Sequence, residues 1–149
     1  MGHTLKKFLI KKKGYVSVSL ESIDTLHFIL YARVNGKSGR FILDTGASNT
    51  CIGENWADYF ELIAERSEIR AAGAGTDTLK TQTSVGNLLQ IGDVIIKKQP
   101  LLIFDLSHIN RALAEFGVEP VQGIIGADIL LKKKAVIDYA QSQLYLQRR

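Results

Sequence analysis

The chain has 149 residues, 46% hydrophobic and 23% charged, with 19 Lys and Arg against 15 Asp and Glu. That balance fits one globular domain able to bury a core, and it excludes a low-complexity or disordered chain. One cysteine, Cys51, excludes an internal disulfide and a cysteine metal site, and His3, His27 and His108 share no ligand spacing, so no metal and no cofactor are expected.

Residues 1–13 read as a basic N-terminal arm and residues 14–149 as the domain. In the arm the apolar run Phe8-Leu9-Ile10 is cut short by Lys11 to Lys13, so no secretory segment is recognised. Nothing approaches a membrane span, and the cytoplasm is the expected compartment, a removed leader or anchor being compatible with it. Further basic clusters lie at Lys6-Lys7, Lys132 to Lys134 and Arg148-Arg149. With no interleaved aromatic stacking pattern they read as solvated edges, an anionic partner such as nucleic acid being the weaker alternative, so no nucleic-acid and no membrane partner is expected.

From residue 14 onward the hydrophobic period is mostly two. "YVSVSL" alternates Val16, Val18 and Leu20 with serines, as a half-buried strand does. "HFILYARV" predicts a second strand, which turns through Asn35-Gly36, a strong hairpin signal, into "KSGRFIL". After residues 44–49 comes the strand "TCI", in which Cys51 reads as a small core residue. "GENWADYF" predicts a short helix with Trp56 and Phe60 on one face. "EIRAAGAGTDTLKTQTSVGNLLQIGDVII" predicts a hairpin with a glycine-rich tip at 71–77, then a strand pair turning near Gly92-Asp93. The tip is no phosphate loop, since no Gly-Lys-Ser/Thr follows. "PLLIFDL" predicts a strand and "SHINRALAEFGV" a helix capped by Ser107 and stopped by Gly117. "QGIIGADILL" predicts a strand leading into a short helix, and "AVIDYAQSQLYL" a hairpin around Ala140 to Ser142. The expectation is a mainly β, barrel-like fold with no repeated βαβ pattern.

Within this frame "FILDTGAS" is unusual. Phe41-Ile42-Leu43 run into an aspartate, a residue that strand interiors disfavour and that is costly to bury unpaired. Asp44-Thr45-Gly46 could be a plain turn. Taken with the "AAGAG" tip, "GIIGADIL" and the closing "AVIDYAQSQLYL", however, it resembles the retropepsin-like aspartic proteases, in particular their bacterial single-domain branch. The resemblance covers roughly residues 14–146 and implies a closed β-barrel of the acid-protease fold, one lobe per chain, with one or two short helices.

The resemblance also implies an aspartic endopeptidase acting on a polypeptide. Two carboxylates share a proton and hold a water between them, and such a pair titrates as a unit. Asp44 would be the catalytic residue, with Thr45, Gly46, Ala47 and Ser48 supporting its loop. Ala72, Gly73, Ala74, Gly75 and Thr76 would form a flap over substrate, and Ile124, Ile125 and Gly126 the structural strand motif beside the loop. Asp24 and Asp77 lack the glycine after threonine, Asp128 falls on a helix and Asp138 closes a strand, so the second carboxylate would come from a homodimer. Ala47 offers no hydroxyl to the carboxylate, which suggests activity reaching toward neutral pH. Ala127 stands where retroviral enzymes carry a dimer-anchoring arginine, so the terminal strands, including 144–146, are expected to offer another dimer surface. The alternative is an inactive module that keeps the fold and binds peptide segments.

Overall fold

The computed structural model describes residues 2–66 and 81–149. The chain opens with α1 (Gly2–Lys13) where the sequence suggested only an arm. Leu9 is buried beneath it, and Lys11 to Lys13 fill its last turn, where positive charge complements the helix dipole. Next is β1 (Tyr15–Ser19), in which Val16 and Val18 face inward, followed by β2 (Glu21–Ser22), β3 (Phe28–Val34) and β4 (Lys37–Leu43). The turn between β3 and β4 has φ of 51° at Asn35 and 83° at Gly36. Two consecutive left-handed residues are what a type I′ hairpin needs, and Asn-Gly supplies them with least strain.

Beyond residue 50 come β5 (Cys51–Gly53) and a single 3₁₀ turn, Glu54–Trp56, in place of the longer helix expected there. Phe60 is still fully buried, with Trp56 packed at the edge of the same cluster. β6 (Glu65–Arg66) is followed, after the undescribed segment, by β7 (Gln82–Ile91) and β8 (Val94–Phe104), which absorbs the expected "PLLIF" strand. The residues Ala72 to Thr76 lie outside the described residues. α2 (Ser107–Ala114) starts one residue after its N-cap, Leu106; the Ser107 side chain does not cap it. Instead the Asp105 carboxylate accepts the Ser107 N–H at 2.8 Å, and that bond holds the Asp105 carboxyl below its ordinary range. The chain closes with β9 (Gly123–Ile125), α3 (Ala127–Lys132), β10 (Val136–Asp138) and β11 (Gln143–Gln147).

Six strands form a closed barrel in the order β3-β4-β9-β5-β8-β7, sealed by β7 pairing back onto β3 through Arg33↔Gln90 and Val34↔Leu89. The β4–β9 and β5–β8 pairs are parallel and their residues are buried on both faces, which is why their sequences are unbroken apolar runs. Phe41 and Leu43 point into the barrel with Leu30, Ile52 and Ile125. Ile42 and Ile124 point the other way, against Leu113 of α2 and its neighbours.

A second sheet, β1-β11-β10, covers the barrel, and Leu144, Tyr145 and Leu146 of β11 are fully buried. This corrects the expectation that residues 144–146 offer a dimer surface: β11 is the central strand and both of its edges are already paired. Among the described residues no helix is long and apolar enough to cross a membrane.

Candidate active site

Asp44 directly follows the last residue of β4, and its N–H donates to Ile125 O at 3.0 Å, so the β4–β9 ladder runs up to the aspartate itself. The chain then turns tightly. Gly46 N–H donates to Asp44 Oδ1 at 2.9 Å, and Ala47 N–H donates to Asp44 O at 3.2 Å. A Cβ at Gly46 would lie 3.3 Å from Asp44 Oδ1, so glycine is what allows the backbone this close to the carboxylate. Asp44 is half-buried, Thr45, Gly46 and Ser48 are exposed, and Ala47 is tucked into the cluster behind the loop. The result is a half-buried carboxylate at the end of a barrel strand, one oxygen accepting a backbone N–H and the residue's own backbone tied on both sides.

The loop from 44 to 50 leaves along β4 and returns as β5 on the other side of β9, so it wraps the β9–α3 junction. Gly126 is the point of closest approach. Its N–H donates to Thr50 Oγ1 at 3.0 Å, and the next N–H, Ala127, donates to Ala47 O at 2.7 Å. The Ile124-Ile125-Gly126 segment and the Asp44 loop therefore meet at this point.

The sequence reading set Asp128 aside as a catalytic candidate and assigned it no other role. In the structure its Oδ1 accepts both the N–H of Thr50 at 3.0 Å and the Thr50 hydroxyl at 2.7 Å. Gln99 Nε2 donates to Asp128 Oδ2 at 3.2 Å, and Lys132 Nζ donates to Gln99 Oε1 at 3.3 Å. Thr50 is completely buried, so its hydroxyl has bonds only within this brace. A threonine between the loop and an apolar strand, with Gly-Ala-Asp downstream, was the available signal. Replacing Thr50 by Val leaves the Asp128 carboxylate and the Gly126 N–H each short of a bond. The expected cost is about 2 kcal/mol. Thermal unfolding should register this as a melting temperature lower by roughly 4–8 °C, with Thr50→Ser restoring most of it.

Cys51, one residue further, pairs with Ile124 and Leu102 and is buried. Burial pushes its thiol up from 9.0 to about 12, and the nearby Asp128 and Asp44 act in the same direction. A thiol this reluctant to ionise is no nucleophile. The native chain should resist iodoacetamide at pH about 8 and react only once unfolded, because the thiolate is the reactive form. Rapid labelling of the native chain, read by mass spectrometry, would contradict the burial. Because the folded state disfavours the thiolate, this group's contribution to stability is whole below pH 9 and is lost as pH rises toward 12.

An Asp-Thr-Gly loop at the mouth of a closed six-strand barrel, threaded past an apolar-apolar-glycine strand, defines the single-lobe architecture of acid proteases. A family model described as aspartyl protease matches residues 30–129, and the chain belongs to that family. No protein among those with curated descriptions matches the chain. Among solved structures it is similar to a retropepsin-like aspartic protease from Rickettsia conorii, at 20% identity, covering 89% of this chain and 88% of that one with a TM-score of 0.56. It is also similar to the retroviral protease-like domain of Ddi1 from Leishmania major, at 14% identity, coverage of 81% and 88%, and a TM-score of 0.53. The EIAV protease in complex with an inhibitor matches at 16% identity, coverage of 74% and 90%, and a TM-score of 0.54. At these identities the likeness is one of fold, and that fold is retropepsin-like.

Proposed function

We propose that the protein is an aspartic endopeptidase that works as a homodimer, with the Asp44 carboxylates of two copies holding one water between them. The observation that carries this reading is Asp44 itself: a half-buried carboxylate on a backbone-braced loop at the barrel mouth. Asp-Thr-Gly occurs once in the sequence, which makes half a dyad, so a twofold pairing is what completes it. In the pair one carboxylate is ionised and takes a proton from the water, while the other is protonated and hydrogen-bonds the scissile carbonyl. Water oxygen adds to the carbonyl carbon, and the tetrahedral species collapses as a proton passes to the leaving nitrogen. No covalent enzyme intermediate forms.

Thr45 would lock one loop to the other across the axis, Gly46 would admit the close approach, and Ala47 and Ser48 would support the loop from behind and from its rim. Ala72, Gly73, Ala74, Gly75 and Thr76 would close over an extended polypeptide. Digestion of a peptide library, followed by mass spectrometry from acidic to neutral pH, tests the proposal. Cleavage beside apolar residues, persisting toward neutral pH because Ala47 brings no hydroxyl to the carboxylate, is the expected result. A folded chain that cleaves nothing at any pH would instead be a peptide-binding module on the same fold.

A further inference from the structure

The four basic clusters lie at opposite ends of the sequence, and the fold gathers them at one end of the molecule. Lys6, Lys7 and Lys11 to Lys13 are on α1. The Arg148 N–H donates to Gly14 O at 3.2 Å, which sets Arg148 and Arg149 beside the last turn of that helix. The Tyr15 hydroxyl donates to Lys134 O at 2.8 Å and the Gln147 N–H to Lys133 O at 2.8 Å, which brings in the lysines at the end of α3. Residues 1–20, 129–137 and 139–149 contain no Asp or Glu, so the segments that build this face carry cations without carboxylates of their own.

The same face exposes apolar side chains among the lysines. Phe8 is 48% exposed, Ile10 39% and Leu5 38%. Ile10 and Tyr15 line a pocket of about 480 Å³ together with Lys13, Arg148 and Arg149. Lys13 Nζ lies 5.7 Å over the Phe8 ring, yet about half of that side chain still faces outward, more apolar surface than a purely solvated basic edge calls for. A duplex backbone would pair with the cations but leave Phe8 and Leu5 in water, and a single strand could stack a base on Phe8 but would leave the aliphatic Leu5 and Ile10 uncovered. A bilayer surface with anionic headgroups satisfies both features: phosphates meet the lysines and arginines while the apolar side chains enter the headgroup–acyl boundary.

We propose that the face built by α1, the Arg148-Arg149 end and Lys132 to Lys134 docks the protein onto an anionic lipid bilayer. This contact is peripheral, a helix lying on the surface rather than crossing it, and it is independent of the hydrolytic reading of Asp44.

The test is cosedimentation of the full chain with vesicles of phosphatidylcholine and phosphatidylserine, beside vesicles of phosphatidylcholine alone, at physiological salt. The chain is expected to pellet with the mixed vesicles only and to be released by high salt. Replacing Lys6, Lys7 and Lys11 together by Gln should reduce partitioning at least about tenfold. Phe8→Ser should reduce it severalfold while leaving binding to single-stranded DNA unchanged. No pelleting by wild type, or pelleting that ignores salt, overturns the proposal without need of any variant. Vesicle binding that survives Phe8→Ser and is matched by equally tight DNA binding overturns it too, and assigns the face to nucleic-acid phosphates.

Discussion

Asp44→Asn is expected to fold as wild type does and to lose at least about 10³-fold in peptide hydrolysis, the upper part of the range for a positioned acid or base. The fold should survive because the bonds that hold the turn use one side-chain oxygen and backbone: Gly46 N–H to Asp44 Oδ1, and Asp44 N–H to Ile125 O. The Asn side-chain carbonyl can accept the first as the carboxylate does. What the amide cannot do is take a proton from water at neutral pH or share one with its twin. The proposed homodimer predicts a second signature. If wild-type and Asp44→Asn chains mix freely in equal amounts, only about a quarter of the dimers are wild type on both sides, and activity should fall toward that fraction. Activity that falls only to half on mixing would mean that each chain works alone. A variant that unfolds would be visible by circular dichroism and would leave the mixing result of wild type with Asp44→Glu to decide.

Gly126→Ala should be the most damaging single methyl in the structure's loop–helix junction. Its backbone, at φ −105° and ψ −174°, is extended and open to any residue, so no conformational strain is involved. The cost is steric: a Cβ there would stand 2.7 Å from Ala47 O and 2.9 Å from the carbonyl carbon and oxygen of Asn49. All three are backbone atoms of the Asp44 loop, which cannot rotate away as a flexible side-chain tip could. Either the loop lifts or α3 retreats, and both movements weaken the Ala127 N–H bond to Ala47 O and the Thr50–Asp128 brace. Destabilisation of about 3 kcal/mol follows, roughly 6–12 °C in melting temperature. A displacement of the carboxylate by about 1 Å should lower kcat by about 10²-fold in chains that still fold. Unchanged melting and turnover would show that the junction has slack which the packing distances do not suggest.

Much of the barrel was legible from residue order because its signals are local. Asn35-Gly36 could be read as a hairpin turn since both positions demand left-handed backbone. Phe41-Ile42-Leu43 announced a strand buried on both faces, and the aspartate at its end stood out against that run. The features that escaped are those made by distant partners. α1 is rich in lysine, and its buried residue among those described, Leu9, finds its place only in the folded chain. Asp105 caps α2 from a position that reads as the end of a strand. Asp128 looked superfluous because its role depends on Thr50, 78 residues earlier in the chain. β11 looked like an edge because nothing in "QLYLQ" says that β1, at the other end of the domain, will pair along its second side.

That last pairing bears on how the molecule comes together in time. Hairpins such as β3–β4 and β7–β8 join neighbouring stretches and can form within microseconds. The β4–β9 ladder must instead bring Phe41 to Gly123, and the β1–β11 ladder Tyr15 to Gln147, closures whose entropic cost places such topologies among the slow, millisecond-to-second folders. The Asp44 turn acquires its brace only when residues 123–128 arrive. During synthesis, therefore, the aspartate leaves the ribosome long before the geometry that would let it act, and a half-made chain carries the carboxylate without the site.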